Sequence, residues 1–224
     1  QSLNSPDQFT IEDIMQQFNT FLFAGMDTTA HLVLMMSYYY LTEPSVREKI
    51  SKEVEMLFRD PSKITLDTLN QMDYMTAFIK ETMRVATPVP QPFERALAKN
   101  VEYVTLGNLK IKRGTILVPT YITNNFNELY HDDPYKFDLE RWLKPSKTQE
   151  SIKENPFVYT PFGGGPRNCI GQHLAYIQAK IIMGLFIKKF GYELSDKDYK
   201  LKMTLRLNYE PEDKLVYKLK PKST

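Results

Sequence analysis

Phe162-Gly-Gly-Gly-Pro-Arg-Asn-Cys-Ile-Gly171 holds the only cysteine of the chain, behind three consecutive glycines and a proline. Such a bare backbone can approach something flat and bulky. A helix starting just after Cys169 points its free N–H groups and positive dipole end at the sulfur, which favours the thiolate. Arg167 adds a cation suited to a carboxylate. Together these features suit axial ligation of a haem iron. Other readings stay open on these residues alone. A lone cysteine after a flexible turn is often plain packing. A glycine-rich loop can cradle phosphate, although Gly-x-x-x-x-Gly-Lys-Ser/Thr is absent. Cys169 and His173, four apart, form half of a metal site that no second Cys or suitably spaced His completes.

The surrounding chain is globular in composition. Its 224 residues are 42% hydrophobic and 12% aromatic, too apolar to remain disordered throughout. Net charge is +2, with 29 basic against 27 acidic residues, so nothing points to nucleic acid as a partner. One cysteine excludes a disulfide framework. The apolar stretches around 18–23 and 32–41 are interrupted by Gly25, Asp27 and two threonines before reaching the roughly 20 residues of a membrane span. The chain starts at Gln1 without a signal-peptide pattern, which suggests a fragment.

Thr10 and Asp13 form a capping box, followed by apolar residues at helical spacing from Ile11 to about Leu41. A helix of about 30 residues is roughly 45 Å long at 1.5 Å per residue. Further helices are expected over Ser45–Phe58, Thr65–Asn70, Met72–Val85 and Ile170–Phe190. A hairpin is expected over Leu109–Val118, turning at Arg113-Gly114. Residues 131–168 read as an irregular meander. Leu201, Met203, Leu205 and Leu207 alternate, and a terminal hairpin returns through Leu215–Leu219. The expected fold is mainly α with a minor β-sheet, in one unit over 1–224.

Three further segments carry chemistry. Ala24-Gly-Met-Asp-Thr-Thr29 lies midway along the long helix, where Gly25 costs about 1 kcal/mol relative to Ala. Gly25 and Thr28 share a face, so a missing side chain makes room beside a hydroxyl, with Asp27 as an adjacent proton source. A packing glycine with back-bonded threonines is the alternative. Glu81 and Arg84 are spaced i,i+3, commonly a solvated pair worth a few tenths of a kcal/mol. Arg95 follows the turn Pro90-Gln-Pro-Phe-Glu. His31 and His131 carry no partner that distinguishes them from packing or surface histidines.

These four segments, in this order, resemble the cytochrome P450 family, the haem-binding loop matching at Phe162, Gly165, Arg167, Cys169 and Gly171, with Ala175 also fitting. The resemblance implies the C-terminal half of the family fold: the oxygen-binding helix, the cysteine loop, its helix and the terminal hairpin. It implies haem b (iron protoporphyrin IX) with Cys169 as the thiolate ligand, Arg95 pairing a propionate, and Ala24 beside the haem. It implies O2 held at a local widening by Gly25, with Asp27 and Thr28 relaying protons. It implies that Glu81, Arg84 and Arg141, the last from Phe137-Asp-Leu-Glu-Arg141, form a buried structural group. Leu139 departs from the family's proline there. Substrate-facing candidates are Phe21, Leu22, Val89 and Met203.

The function so implied is monooxygenation of a lipophilic substrate. Its partners are an NADPH-dependent flavoprotein reductase and cytochrome b5, with a membrane anchor in the absent N-terminal half. The implied location is the cytoplasmic face of the endoplasmic reticulum membrane. Alternatives are a haem-thiolate isomerase or dehydratase, which typically lacks the acid–alcohol pair, and an inactive haem-binding fragment. Residues 141–191 hold eight Lys/Arg against two acids, a candidate docking patch for an acidic redox partner or simply a solvated face.

Overall fold

The computed structural model describes residues 9–91, 94–206 and 208–222. Helix α1 spans Ile11–Thr42 and opens on the capping box, Thr10 Oγ1 accepting from the Asp13 amide at 3.1 Å. Pro44 at the first turn starts α2 (Pro44–Leu57). A short α3 (Leu66–Asn70) precedes α4 (Asp73–Val85). No side chain of α4 caps its own N-terminus. Instead the buried Glu53 of α2 accepts from the Tyr74 and Met75 amides, both at 2.8 Å.

After α4 come strands β1 (Tyr103–Leu106) and β2 (Leu109–Lys112), then the short helices α5 (Ile122–Asn125), α6 (Glu140–Leu143) and α7 (Lys147–Glu154). Helix α8 (Gln172–Lys189) runs into β3 (Phe190–Leu194), followed by β4 (Met203–Leu205), β5 (Tyr209–Pro211) and β6 (Tyr217–Pro221). All strand pairs are antiparallel: β1 with β2, β3 with β6, β4 with β5. The structure is thus mainly helical with small sheets.

Both hairpins differ from the sequence expectation. The first turns at Gly107-Asn108, pairing Leu106 with Leu109, and not at Arg113-Gly114. Gly107 and Gly114 both take positive φ, so each can turn the chain. The choice falls to the flanking segments: 103–106 finds β2, whereas Leu117 leaves to bridge Arg95. At the C-terminus, 203–205 does not pair with the last strand. It closes on 209–211, while 217–221 returns to the strand after α8.

The core lies where the second half of α1 meets α2, α4 and α8, through Leu32, Met36, Ile50, Phe58, Phe78 and Met183. Gly184 lets α8 pass directly over the Phe58 ring, since a Cβ there falls inside van der Waals contact. The first half of α1 has no such partner. Phe18, Phe21, Leu22 and Phe23 are each more than half exposed.

The meander is held by one buried carboxylate. Glu81 takes a forked pair of bonds from Arg84 (2.9 and 2.8 Å), and further bonds from the Trp142 indole (2.9 Å), the Asp138 amide (2.9 Å) and Arg141 Nε (3.4 Å). Arg84 also donates to the carbonyls of Asn125 (2.7 Å), Pro134 (2.6 Å) and Lys136 (3.1 Å), and Arg141 to those of Asp132 (2.7 Å) and Asp133 (3.3 Å). Two arginines thereby satisfy backbone oxygens that irregular chain leaves without secondary-structure partners. Leu139 stands at φ −69°, within proline's own range, so the local turn survives the replacement.

Arg84→Met removes the nearer of the two cations on Glu81 and leaves the carbonyls of Asn125 and Pro134 without their donor, while Arg141 still reaches Lys136 O at 3.4 Å. It is expected to lower the unfolding free energy by about 3–5 kcal/mol, read by chemical denaturation; an unchanged midpoint would contradict the network. His131 is fully buried beside it, bonded to Thr148 at 2.9 Å. Burial, reinforced by the Arg84 and Arg141 charges, pushes His131 from 6.5 down to about 4. Between those values the unfolded chain binds the extra proton, so the contribution of His131 is full above pH 6.5 and drains away towards pH 4. His131→Asn is expected to flatten the fall in denaturation midpoint over that interval.

Candidate functional site

The cysteine loop is shaped by its backbone. Gly163 and Gly165 sit at φ +76° and +74°, the left-handed region where a Cβ is strained. At Gly164 a Cβ would meet the Phe157 ring at 2.8 Å, so that glycine answers a close approach. The Gly163 amide donates to Thr160 O (2.9 Å), and the Cys169 amide to Phe162 O (2.8 Å), closing the loop at the cysteine. Phe162 itself packs on Tyr176 of α8, ring centres 5.9 Å apart.

Cys169 is exposed, three residues before the first residue of α8. Gly171 caps the helix without a side-chain bond, and a Cβ there would touch the Cys169 sulfur at 3.7 Å. The sulfur therefore lies against the start of α8. Beside it Ile170 is 82% exposed, and Leu174 on α8 57%. Arg167 is exposed on the same loop.

Helix α1 faces α8 across a cleft of about 470 Å³, whose walls include Phe21, Leu22 and Gly25 on one side and Leu174, Gln178 and Ile182 on the other. A Cβ on Gly25 would meet nothing within 4 Å. The cleft thus joins the glycine of α1 to the segment of α8 five residues beyond the cysteine. Ala24 is exposed beside it.

At the acid–alcohol pair the structure departs from the family expectation. Helix α1 stays α-helical across 24–28, with no wider turn. Thr28 Oγ1 donates to Ala24 O at 2.8 Å, which uses the hydroxyl without breaking the helix ladder. Neither Thr28 nor Asp27 lines the cleft. The Asp27 carboxylate instead accepts from the side-chain amide of Asn208, a residue that sequence reasoning missed. Its only trace in the sequence is a polar residue ending the apolar alternation of 201–207.

The other candidates are more dispersed. Val89 is half-buried in the linker after α4, which is tied down by Tyr209 N to Pro88 O and Tyr121 N to Pro90 O, both 2.9 Å. Met203 is half-buried on β4, and neither residue lines the cleft. Arg95 is exposed, and its backbone exchanges two 2.8 Å hydrogen bonds with Leu117. Pro92 and Phe93 of its turn lie outside the described residues, as does Leu207. His31 is buried and meets Ala86 O at 3.3 Å.

The basic run needs a correction. Arg141 is buried in the Glu81 network, and Lys180 is buried with its ammonium on Leu69 O at 2.7 Å. The outward-facing set is therefore Lys144, Lys147, Lys153, Arg167 and Lys189, with Lys188 half-buried. Among the described residues, no three His, Cys, Asp or Glu side chains gather to hold a metal ion.

Comparison with known proteins follows these lines. Residues 1–216 match the family described as Cytochrome P450. Cytochrome P450 3A29 of Sus scrofa is 32% identical over 213 residues, covering 94% of this chain and 41% of that protein. Cytochrome P450 4V2 of Mus musculus is 34% identical over 212 residues, covering 93% and 38%. The chain therefore spans about two fifths of the length of these curated relatives. The crystal structure of a mutant cytochrome P450DA heme domain superposes on 99% of this chain and 49% of its own, with a TM-score of 0.83 and 27% identity. By sequence over nearly its whole length, and by fold, this chain belongs to the cytochrome P450 family.

Proposed function

We propose that this chain is the haem-thiolate half of a monooxygenase acting on a lipophilic substrate. The observation that carries the reading is the exposed Cys169, its amide bonded to Phe162 O and its sulfur against Gly171 at the start of α8, the helix that from Leu174 onward lines a cleft with Gly25. The fit to haem b is supported by open space at Gly25, a glycine-built floor and the exposed apolar Ile170 and Leu174. These are surfaces that a planar apolar group would cover.

Cys169, its sulfur against the start of α8, would ligate the iron as thiolate. Arg167 and Arg95 would pair the carboxylates of the group. When bound, the haem supplies the redox chemistry that places one oxygen atom of O2 in the substrate and releases the other as water, using two electrons and two protons. The Thr28 hydroxyl holds a proton now directed at Ala24 O, and rotation about χ1 can turn it away from that carbonyl. Asp27 is the neighbouring group that replenishes it. Phe21 and Leu22, with Val89 and Met203 as outlying contacts, favour an apolar substrate.

Electrons would come from an NADPH-dependent flavoprotein reductase, with cytochrome b5 as a second donor, docking on the outward Lys144, Lys147, Lys153 and Lys189. Placement on the cytoplasmic face of the endoplasmic reticulum membrane accords with the same type of system. Among the described residues no helix is long and apolar enough to cross a membrane. The 224 residues alone leave the apolar first half of α1 uncovered, and we expect them to be inactive by themselves.

The reduced holoprotein under carbon monoxide should show a strongly red-shifted Soret band that Cys169→Ser abolishes. A band typical of histidine ligation would overturn the assignment. Thr28→Ala should keep that band yet divert reducing equivalents to hydrogen peroxide, with product falling about tenfold or more. Unchanged turnover would instead favour isomerase or dehydratase chemistry.

A further inference from the structure

Asn208 stands in the turn between β4 and β5 and is only 5% exposed. Its side-chain Nδ2 donates to Asp27 Oδ2, across 181 residues of sequence. Among the described residues, no other hydrogen-bond partner reaches the Asp27 carboxylate. Nearby ionisable groups are engaged elsewhere: His31, one turn along α1, with Ala86 O at 3.3 Å, and Glu210 on β5 with Arg206 at 3.1 Å. The turn is itself anchored. Arg206 N donates to Asn208 O, and Tyr209 N to Pro88 O, each at 2.9 Å.

The chemistry of an amide is apt for this place. A carboxylate paired with a fixed cation is held in its charged form, which hinders proton uptake. A side-chain amide carries both an N–H donor and a carbonyl acceptor. It can donate to the ionised carboxylate and, after turning about χ2, accept from the protonated acid. One neutral partner can therefore follow the acid through a full protonation cycle.

We propose that Asn208 is the positioning residue of Asp27, keeping the carboxyl group next to Thr28 in both of its protonation states. Through Tyr209 and Pro88 the same turn fastens the linker that carries Val89, so the acid and that linker are registered by one element. This rests on the reading of Asp27 as the proton source.

The test is a double-mutant cycle of Asp27→Ala and Asn208→Ala in the holoprotein, with Asn208→Gln and Asn208→Asp alongside. Two quantities are read: the unfolding equilibrium, and the fraction of consumed NADPH recovered as hydrogen peroxide with purified reductase and no added substrate. Non-additivity of roughly tenfold in the unfolding constant is expected, as for a bond to a charged group. Asn208→Ala and Asn208→Asp should raise the peroxide fraction severalfold with the carbon monoxide spectrum intact. Asn208→Gln should restore it, and Asn208→Ala should add nothing once Asp27 is Ala. Additive effects in both readouts, or a peroxide fraction that Asn208→Asp leaves unchanged, would overturn the proposal. If the thiolate spectrum is missing from the unsubstituted protein, the monooxygenase reading fails and the positioning role falls with it. The unfolding cycle then still decides whether Asn208 binds Asp27.

Discussion

A carboxylate with no access to water must be satisfied from within, and Glu81 is satisfied by N–H groups from four residues. Arg84 comes from its own helix, while Asp138, Arg141 and Trp142 come from the meander. Burying such charges is costly unless their partners are complete. The network therefore determines the path of residues 131–139, which have no helix or strand of their own. The Trp142 ring lies 4.7 Å from that of Tyr159, whose hydroxyl donates to Lys80 O at 2.8 Å. Thr160 then accepts from Gly163, and Phe162 from Cys169. A short series of contacts thus links the ion pair on α4 to the sulfur.

The second constraint is the division of α1 into a buried half and an open half. From His31 onward the helix is wedged among α2, α4 and α8, and Gly184 allows the last of these to come close to Phe58. Before Thr28 the same helix shows apolar side chains to open space, and the cleft to α8 lies where these regimes meet. Dense packing thus anchors the helix only from its second half, through Leu32, Met35, Met36 and Tyr40.

The C-terminal hairpin joins these two parts. Its turn touches α1 at Asp27 and the linker after α4 at Pro88, while the neighbouring pair β3–β6 continues from the end of α8. Asn208 and Tyr209 thereby brace elements that are distant from them in sequence.

Much of this was legible in the sequence because it is local. The capping box of Thr10 and Asp13, the i,i+3 spacing of Glu81 and Arg84, the prolines after α4 and the glycines before Cys169 each act within a few residues, where sequence spacing and physical distance coincide. What tertiary structure alone decided is which distant groups meet. Gly107 and Gly114 offered equivalent turns, and strand pairing selected the first. Lys180 looks like a surface cation in sequence, yet its ammonium is buried on Leu69 O because α8 packs that face inward. Asn208 had no local mark to connect it with Asp27. Hydrogen bonds between residues far apart in sequence depend on how whole elements dock, and no period or motif within one segment encodes that.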